Sequence, residues 1–131
     1  MTLTARFRIE GMDQGAVSGV EGDWVHVLVF SKVFTSGIVG TATTLFMSAG
    51  EDEGSRSYVA TERVSGRTDD GSDDGSEGQV TIQHGGLESD PATWFGHIVP
   101  GTGTGSFAGW SGSARIVHDD DGASFDIRLD G

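Results

Sequence analysis

Glu62 and His84 are the two residues of this chain whose types and spacing best suit acid–base chemistry. A carboxylate held beside an imidazole can take up and return a proton when burial and pairing tune the two groups. Three roles fit such a pair: proton transfer, hydrogen bonding to a ligand, or an internal contact that satisfies its own polar atoms. Each role needs both side chains on one inner face. Glu62 lies in YVATERVSG and His84 in QVTIQHGG, two strand-like runs that end in glycine. We fold the chain about loop tips at Glu53, Asp73 and Ser89, with Ser36-Gly37 as a two-residue hairpin turn. Val29 then faces Thr44, Thr44 faces Glu62, Glu62 faces His84, and His84 faces Trp94. Cross-strand partners point the same way, so these five residues share one face.

The rest of that face is almost wholly apolar: Val25, Val27, Val33, Ile38, Ala42, Phe46, Tyr58, Ala60, Val64, Val80, Ile82, Gly96 and Ile98. It reads as the interior of a barrel. Tyr58, Trp94, Phe46 and Thr44 are the expected ligand contacts, because aromatic walls with a few polar groups suit a small hydrophobic molecule. The competing expectation is an interior filled by its own side chains. The opposite face carries Leu28, Phe30, Phe34, Leu45, Met47, Phe95 and Val99 among polar residues. An apolar outer surface of that extent implies a homo-oligomer, or cover from the Met12–Asp23 connection and the C-terminal strands.

These residues must be positioned by strands. The 131-residue chain holds 22 glycines and two prolines, and its apolar runs are short and β-branched. Many strands joined by tight turns follow from that pattern. Eight are expected, near Leu3–Glu10, Trp24–Thr35, Ile38–Ala49, Ser57–Ser65, Gly78–His84, Thr93–Val99, Ser113–His118 and Ser124–Asp130. With no helix-length periodic segment, the fold class is all-β: one domain, residues 1–131, forming an eight-stranded antiparallel β-barrel whose closure removes exposed edges. A single helical turn is expected at Ser106–Trp110.

Composition narrows the partners. The formal charge is −12, which repels phosphate backbones and anionic lipid, so neither nucleic acid nor membrane is expected. Lys32 is the sole lysine, and cysteine is absent. The start lacks an apolar leader core and no run is long enough to span a bilayer, so a cytoplasmic protein is expected. Gly103-Thr104-Gly105-Ser106-Phe107-Ala108 copies a dinucleotide fingerprint, but no βαβ unit surrounds it and no lysine follows it. Asp70-Gly71-Ser72-Asp73-Asp74-Gly75 copies half of a calcium loop, yet Thr81 stands where the bidentate glutamate belongs; a hairpin tip is the favoured reading. His26, His84, His97 and His118 show no metal-ligand spacing, with His84 and His97 on opposite faces. No metal and no cofactor are expected. Trp24 and Trp110 lie near strand or turn ends and suit rim packing.

Three motifs carry a family resemblance. They are Tyr58–Gly66 with Glu62-Arg63-Val64-Ser65-Gly66, Gln83–Gly86 with Gln83-His84-Gly85-Gly86, and Val99–Gly112 with its Pro-Gly-Thr-Gly-Thr-Gly corner. The upstream Phe34-x-x-Gly37-x-x-Gly40 also fits. Together they resemble the family called domain of unknown function 3224, over about Lys32 to Asp130. Phe107 and Trp110 depart from it, standing where aliphatic residues are common. The resemblance implies an antiparallel barrel similar to allene oxide cyclase and implies no established reaction. By analogy with such barrels, the functional expectation is a hydrophobic small molecule bound in the lumen and acted on by a cofactor-free isomerase or cyclase. Glu62 and His84 would move protons or polarise the substrate. A non-catalytic carrier or sensor, and a filled-barrel interaction module, are the alternatives.

Overall fold

The computed structural model describes residues 1–15, 18–50, 55–69 and 75–131. Among them run seven strands: β1 Thr2–Gln14, β2 Val25–Ala49, β3 Ser57–Asp69, β4 Gly78–Leu87, β5 Phe95–Ile98, β6 Gly112–Asp119 and β7 Gly122–Leu129. Each pairs antiparallel with the next, and β7 pairs with β1, so the sheet closes into a barrel in simple sequence order. Two 3₁₀ turns, Pro91–Thr93 and Gly105–Phe107, interrupt the loops that flank β5.

Two of the eight expected strands, Trp24–Thr35 and Ile38–Ala49, are a single strand, so seven are seen among the described residues. Ser36-Gly37 forms no hairpin; β2 runs straight through it for 25 residues. The N-terminal part of β2 pairs with β1 and the C-terminal part with β3, and the change of partner falls at Ser36 and Gly37. Gly37 has φ +77° and presses against β1, where a Cβ would lie 2.1 Å from the Thr4 carbonyl oxygen. The glycine therefore serves a corner within one strand rather than a turn between two.

That difference changes which residues face inward. A hairpin would reverse the phase across Gly37, whereas a continuous strand preserves it. Phe30, Lys32, Phe34, Ile38, Ala42, Thr44 and Ser48 are all buried. Val25, Val27, Val29 and Val33, expected inside, are only half-buried between them. Phe30 and Phe34, expected outside, belong to the interior. Of the apolar residues expected outside, Leu45, Met47 and Phe95 are exposed, and Val59 lies beside them. β1 also extends past its expected end, to Gln14.

The loop phasing beyond β2 was closer. Thr44 pairs with Glu62, as expected from a tip at Glu53. Glu62 pairs with Ile82 rather than His84, and His84 with Gly96 rather than Trp94. Both errors are shifts of two residues, which leave every side chain on its expected face. The tips at Glu53 and Asp73 lie outside the described residues, as does the 70–74 stretch of the calcium-loop reading.

One half of the barrel is solid. Ile38, Ala42, Val64, Val80, Ile82, Ile98, Ala114 and Ile127 fill it. Phe107 and Trp110 plug its end, edge to face at 5.0 Å. The turn that carries them docks on the start of β4 through Thr104 N–H to the Gln79 carbonyl (2.9 Å) and Ser106 N–H to the Ser76 carbonyl (3.1 Å). Trp110 is thus a buried plug, while Trp24 stands exposed with its indole N–H on the Glu21 carbonyl. The other half of the barrel is hollow.

Candidate functional site

The hollow half is a cavity of about 320 Å³. Its walls are mostly aromatic and aliphatic: Phe7, Phe30, Phe46, Tyr58, Trp94 and Ile116. Phe46 stacks on Tyr58 with centroids 5.3 Å apart, and Phe30 packs tilted against Phe46 at 5.1 Å. Trp94 follows the Pro91–Thr93 turn and lies at the rim, its indole N–H held by the Leu87 carbonyl at 2.6 Å. Outward, the cavity shares Phe30, Phe46 and Glu88 with a more polar vestibule lined by His26, Ser48 and Arg56.

The floor is polar. Lys32, Thr44 and His84 reach the cavity, and Glu62 lies behind them, fully buried. Glu62 accepts from all three. Lys32 Nζ donates to Oε2 at 2.8 Å, and Thr44 Oγ1 donates to Oε1 at 2.9 Å. His84 Nε2 lies 2.5 Å from Oε2, and Tyr58 Oη lies 3.0 Å from His84 Nδ1. In the neutral tautomer with Nε2–H donating to Glu62, Nδ1 accepts the tyrosine O–H. The result is an unbroken chain, Tyr58–His84–Glu62–Lys32, with Glu62 as its anchor.

The electrostatics follow from that anchor. Burial alone would push the Glu62 carboxyl up, but the His84 hydrogen bond and the Lys32 charge outweigh it and hold Glu62 below its ordinary value. Burial lowers the Lys32 ammonium, and Glu62 opposes this only in part. The Tyr58 phenol is pushed up to about 12, first by burial and then by the charges of Glu62 and Glu88. The Lys32 ammonium also sits 4.4 Å from the centroid of the Phe7 ring, a cation–π contact.

All six residues singled out in the sequence therefore meet at one site. Thr44, Phe46, Tyr58, His84 and Trp94 line the cavity, and Glu62 supports it from behind. His97 points outward and takes no part. Several lining residues were missed, among them Phe7, Phe30, Glu88, Ile116 and His118, and the one of them bonded to Glu62 is Lys32. Its signal was present, since a sole lysine at even spacing between Phe30 and Phe34 belongs to their face. The false hairpin reversed that face.

These features define a small closed antiparallel barrel, solid at one end and chambered at the other, with an ionised polar chain at the chamber floor. The chain belongs to the family described as protein of unknown function (DUF3224), whose pattern matches residues 3–130. It is also similar to a crystal structure of a protein of unknown function from that family in Shewanella oneidensis MR-1. The likeness has a TM-score of 0.77 at 21% identity and covers 100% of this chain and 98% of the other. At that identity the likeness concerns the fold alone. Comparison with curated proteins finds no match.

Proposed function

We propose that the chain binds a hydrophobic small molecule in the chambered half of its barrel and rearranges it without a cofactor, as an isomerase or cyclase. A barrel of the allene oxide cyclase type is part of this reading. The observation that carries it is the Tyr58–His84–Glu62 chain ending in an otherwise apolar cavity. Burying such a chain costs free energy unless every member is bonded, and the interior would pack more simply with aliphatic residues. In the reaction, His84 and Tyr58 touch the substrate and exchange protons with it. Glu62 is a positioning residue that fixes the His84 tautomer and acts through it. Phe46, Trp94 and Phe30 hold the substrate in a reactive shape, and positioning in a dry cavity supplies much of the rate.

A carrier or sensor using the same chamber is the second reading, favoured by one observation: each described polar group of the chain already has an internal partner. On either reading the protein acts in the cytoplasm, and copies assemble through the Leu45, Met47, Val59 and Phe95 stripe. Among the described residues no helix is long and apolar enough to cross a membrane.

Native mass spectrometry of protein purified from its own host identifies the bound molecule. Chromatography after incubation then separates the two readings. An isomer of unchanged mass supports the enzyme, and ligand returned unaltered supports the carrier. His84→Ala and Glu62→Gln are expected to weaken binding or turnover; unchanged behaviour in both variants removes the site assignment.

A further inference from the structure

Lys32 has more hydrogen-bonding capacity than the barrel uses. Its ammonium carries three N–H donors. It is 3% exposed, and Glu62 is its one hydrogen-bond acceptor among the described residues. Beyond Glu62 the ammonium meets the faces of Phe7 and Phe125, with centroids at 4.4 and 5.5 Å, and the cavity itself. Ring faces attract the charge but accept no conventional hydrogen bond. A buried donor without an acceptor is costly, and an oxygen brought in by a ligand removes that cost.

Charge selects the kind of oxygen. Lys32 and Glu62 cancel, so the floor is neutral as a unit. Thr44 already donates to Glu62, and His84 is held between Glu62 and the Tyr58 hydroxyl, so both its ring nitrogens are engaged. The acidic Glu88 lies on the cavity wall. A ligand carboxylate on the floor would therefore stand next to Glu62 with Glu88 on the wall, and His118, the other imidazole of the lining, is solvent-exposed and supplies no buried partner charge. A hydrocarbon would leave the ammonium donors unmet. A neutral carbonyl oxygen satisfies the donors and adds no charge.

Resting on the reading of the chamber as a small-molecule site, we propose that Lys32 holds the oxygen of a neutral carbonyl ligand, so that the chamber selects apolar ketones and aldehydes over hydrocarbons and carboxylates. No bond to Lys32 forms; the ammonium stays protonated and polarises the carbonyl. The lowered basicity of the buried amine makes it a stronger donor for this purpose.

The sole lysine makes the test direct, because ¹⁵Nζ-lysine labelling gives one side-chain signal. The labelled protein is titrated with a medium-chain alkyl ketone carrying ¹³C at the carbonyl, with the alkane of matched length, and with the matched carboxylate. The ketone is expected to bind about tenfold or more tightly than either, the return from one hydrogen bond to a charged donor. The ¹⁵Nζ and ¹³C signals should move together with the ketone, and the ¹⁵Nζ signal should stay in place with the alkane. The paired variant Lys32→Met with Glu62→Gln leaves no lone buried charge; its ketone and alkane affinities should become equal, whatever their absolute level. Equal ketone and alkane binding with an unmoved ¹⁵Nζ signal, or a preference for the carboxylate, overturns the role of Lys32 while the chamber reading stands. Failure of all three ligands to bind overturns both.

Discussion

Glu62 Oε2 and His84 Nε2 lie 2.5 Å apart, yet the two residues are not register partners. Glu62 pairs with Ile82 and His84 with Ala60, so the contact runs diagonally across the β3–β4 ladder. Diagonal neighbours meet only when the side chains are long, as these are. The diagonal leaves room beside Glu62 for Lys32 and Thr44, which reach it from β2. One carboxylate thereby orients three groups at the chamber floor.

Removing the cation should expose the cost of that arrangement. Lys32→Met leaves the Glu62 charge buried and short of a partner, which is expected to destabilise the fold by about 3–5 kcal/mol. Adding Glu62→Gln to it should recover a large part of the loss. Urea unfolding of the wild type, both single variants and the double variant gives the coupling as a cycle. Simple additivity would contradict a coupled pair.

Acid should act through the same carboxyl. Glu62 is held below its ordinary value in the folded chain. Its contribution to stability is present above the unfolded value, about 4.3, and is lost as pH falls through the lowered folded value. Part of the acid destabilisation below about pH 4.3 should therefore be absent in Glu62→Gln. Parallel stability–pH curves for the two proteins would contradict this.

Tyr58 is the sole tyrosine, so its ionisation can be followed by ultraviolet absorbance without interference from another phenol. The folded protein should titrate near 12, because burial and the Glu62 and Glu88 charges disfavour the phenolate. The unfolded chain should titrate near the ordinary value of about 10. The raised group favours folding below that ordinary value, and its contribution fades as pH climbs toward 12. A folded midpoint at the ordinary value would place Tyr58 in solvent rather than on His84.

The corner in β2 gives a prediction about the fold. Gly37→Ala forces a side chain into a left-handed backbone and against the Thr4 carbonyl. Backbone strain alone should cost about 1–3 kcal/mol, and the collision adds to it. Thermal unfolding measures the loss. A variant as stable as the wild type would mean that the strand does not turn there.

Much of the site was legible before any coordinates. Thr44, Glu62 and His84 sit in alternating runs separated by glycine-rich loops, and alternation decides the face even when the register slips by two. Lys32 was misplaced although its spacing from Phe30 and Phe34 was legible, because its face depended on one junction. Ser-Gly between two β-branched runs is the common signature of a hairpin, and local preference cannot distinguish that turn from a corner. The distinction is tertiary: β1 packs its Thr4 backbone against Gly37, and β2 passes from β1 to β3 as one strand. The same error exiled Phe30 and Phe34 from the interior and made the outer face look more apolar than it is. The hollow was also beyond the sequence, since how much of a barrel its side chains fill depends on where the Phe107–Trp110 plug enters.

The central claim is that the open half of the barrel is a chamber for a small apolar molecule. Ala123 lines that chamber from β7, whereas the polar chain comes from β2, β3 and β4, so Ala123→Phe is expected to fill the space. Isothermal calorimetry of both proteins with a medium-chain alkyl ketone tests the claim most directly. The wild type should take up one molecule per barrel, and Ala123→Phe should take up none. Absence of saturable uptake by the wild type, or equal uptake by the filled variant, would contradict it.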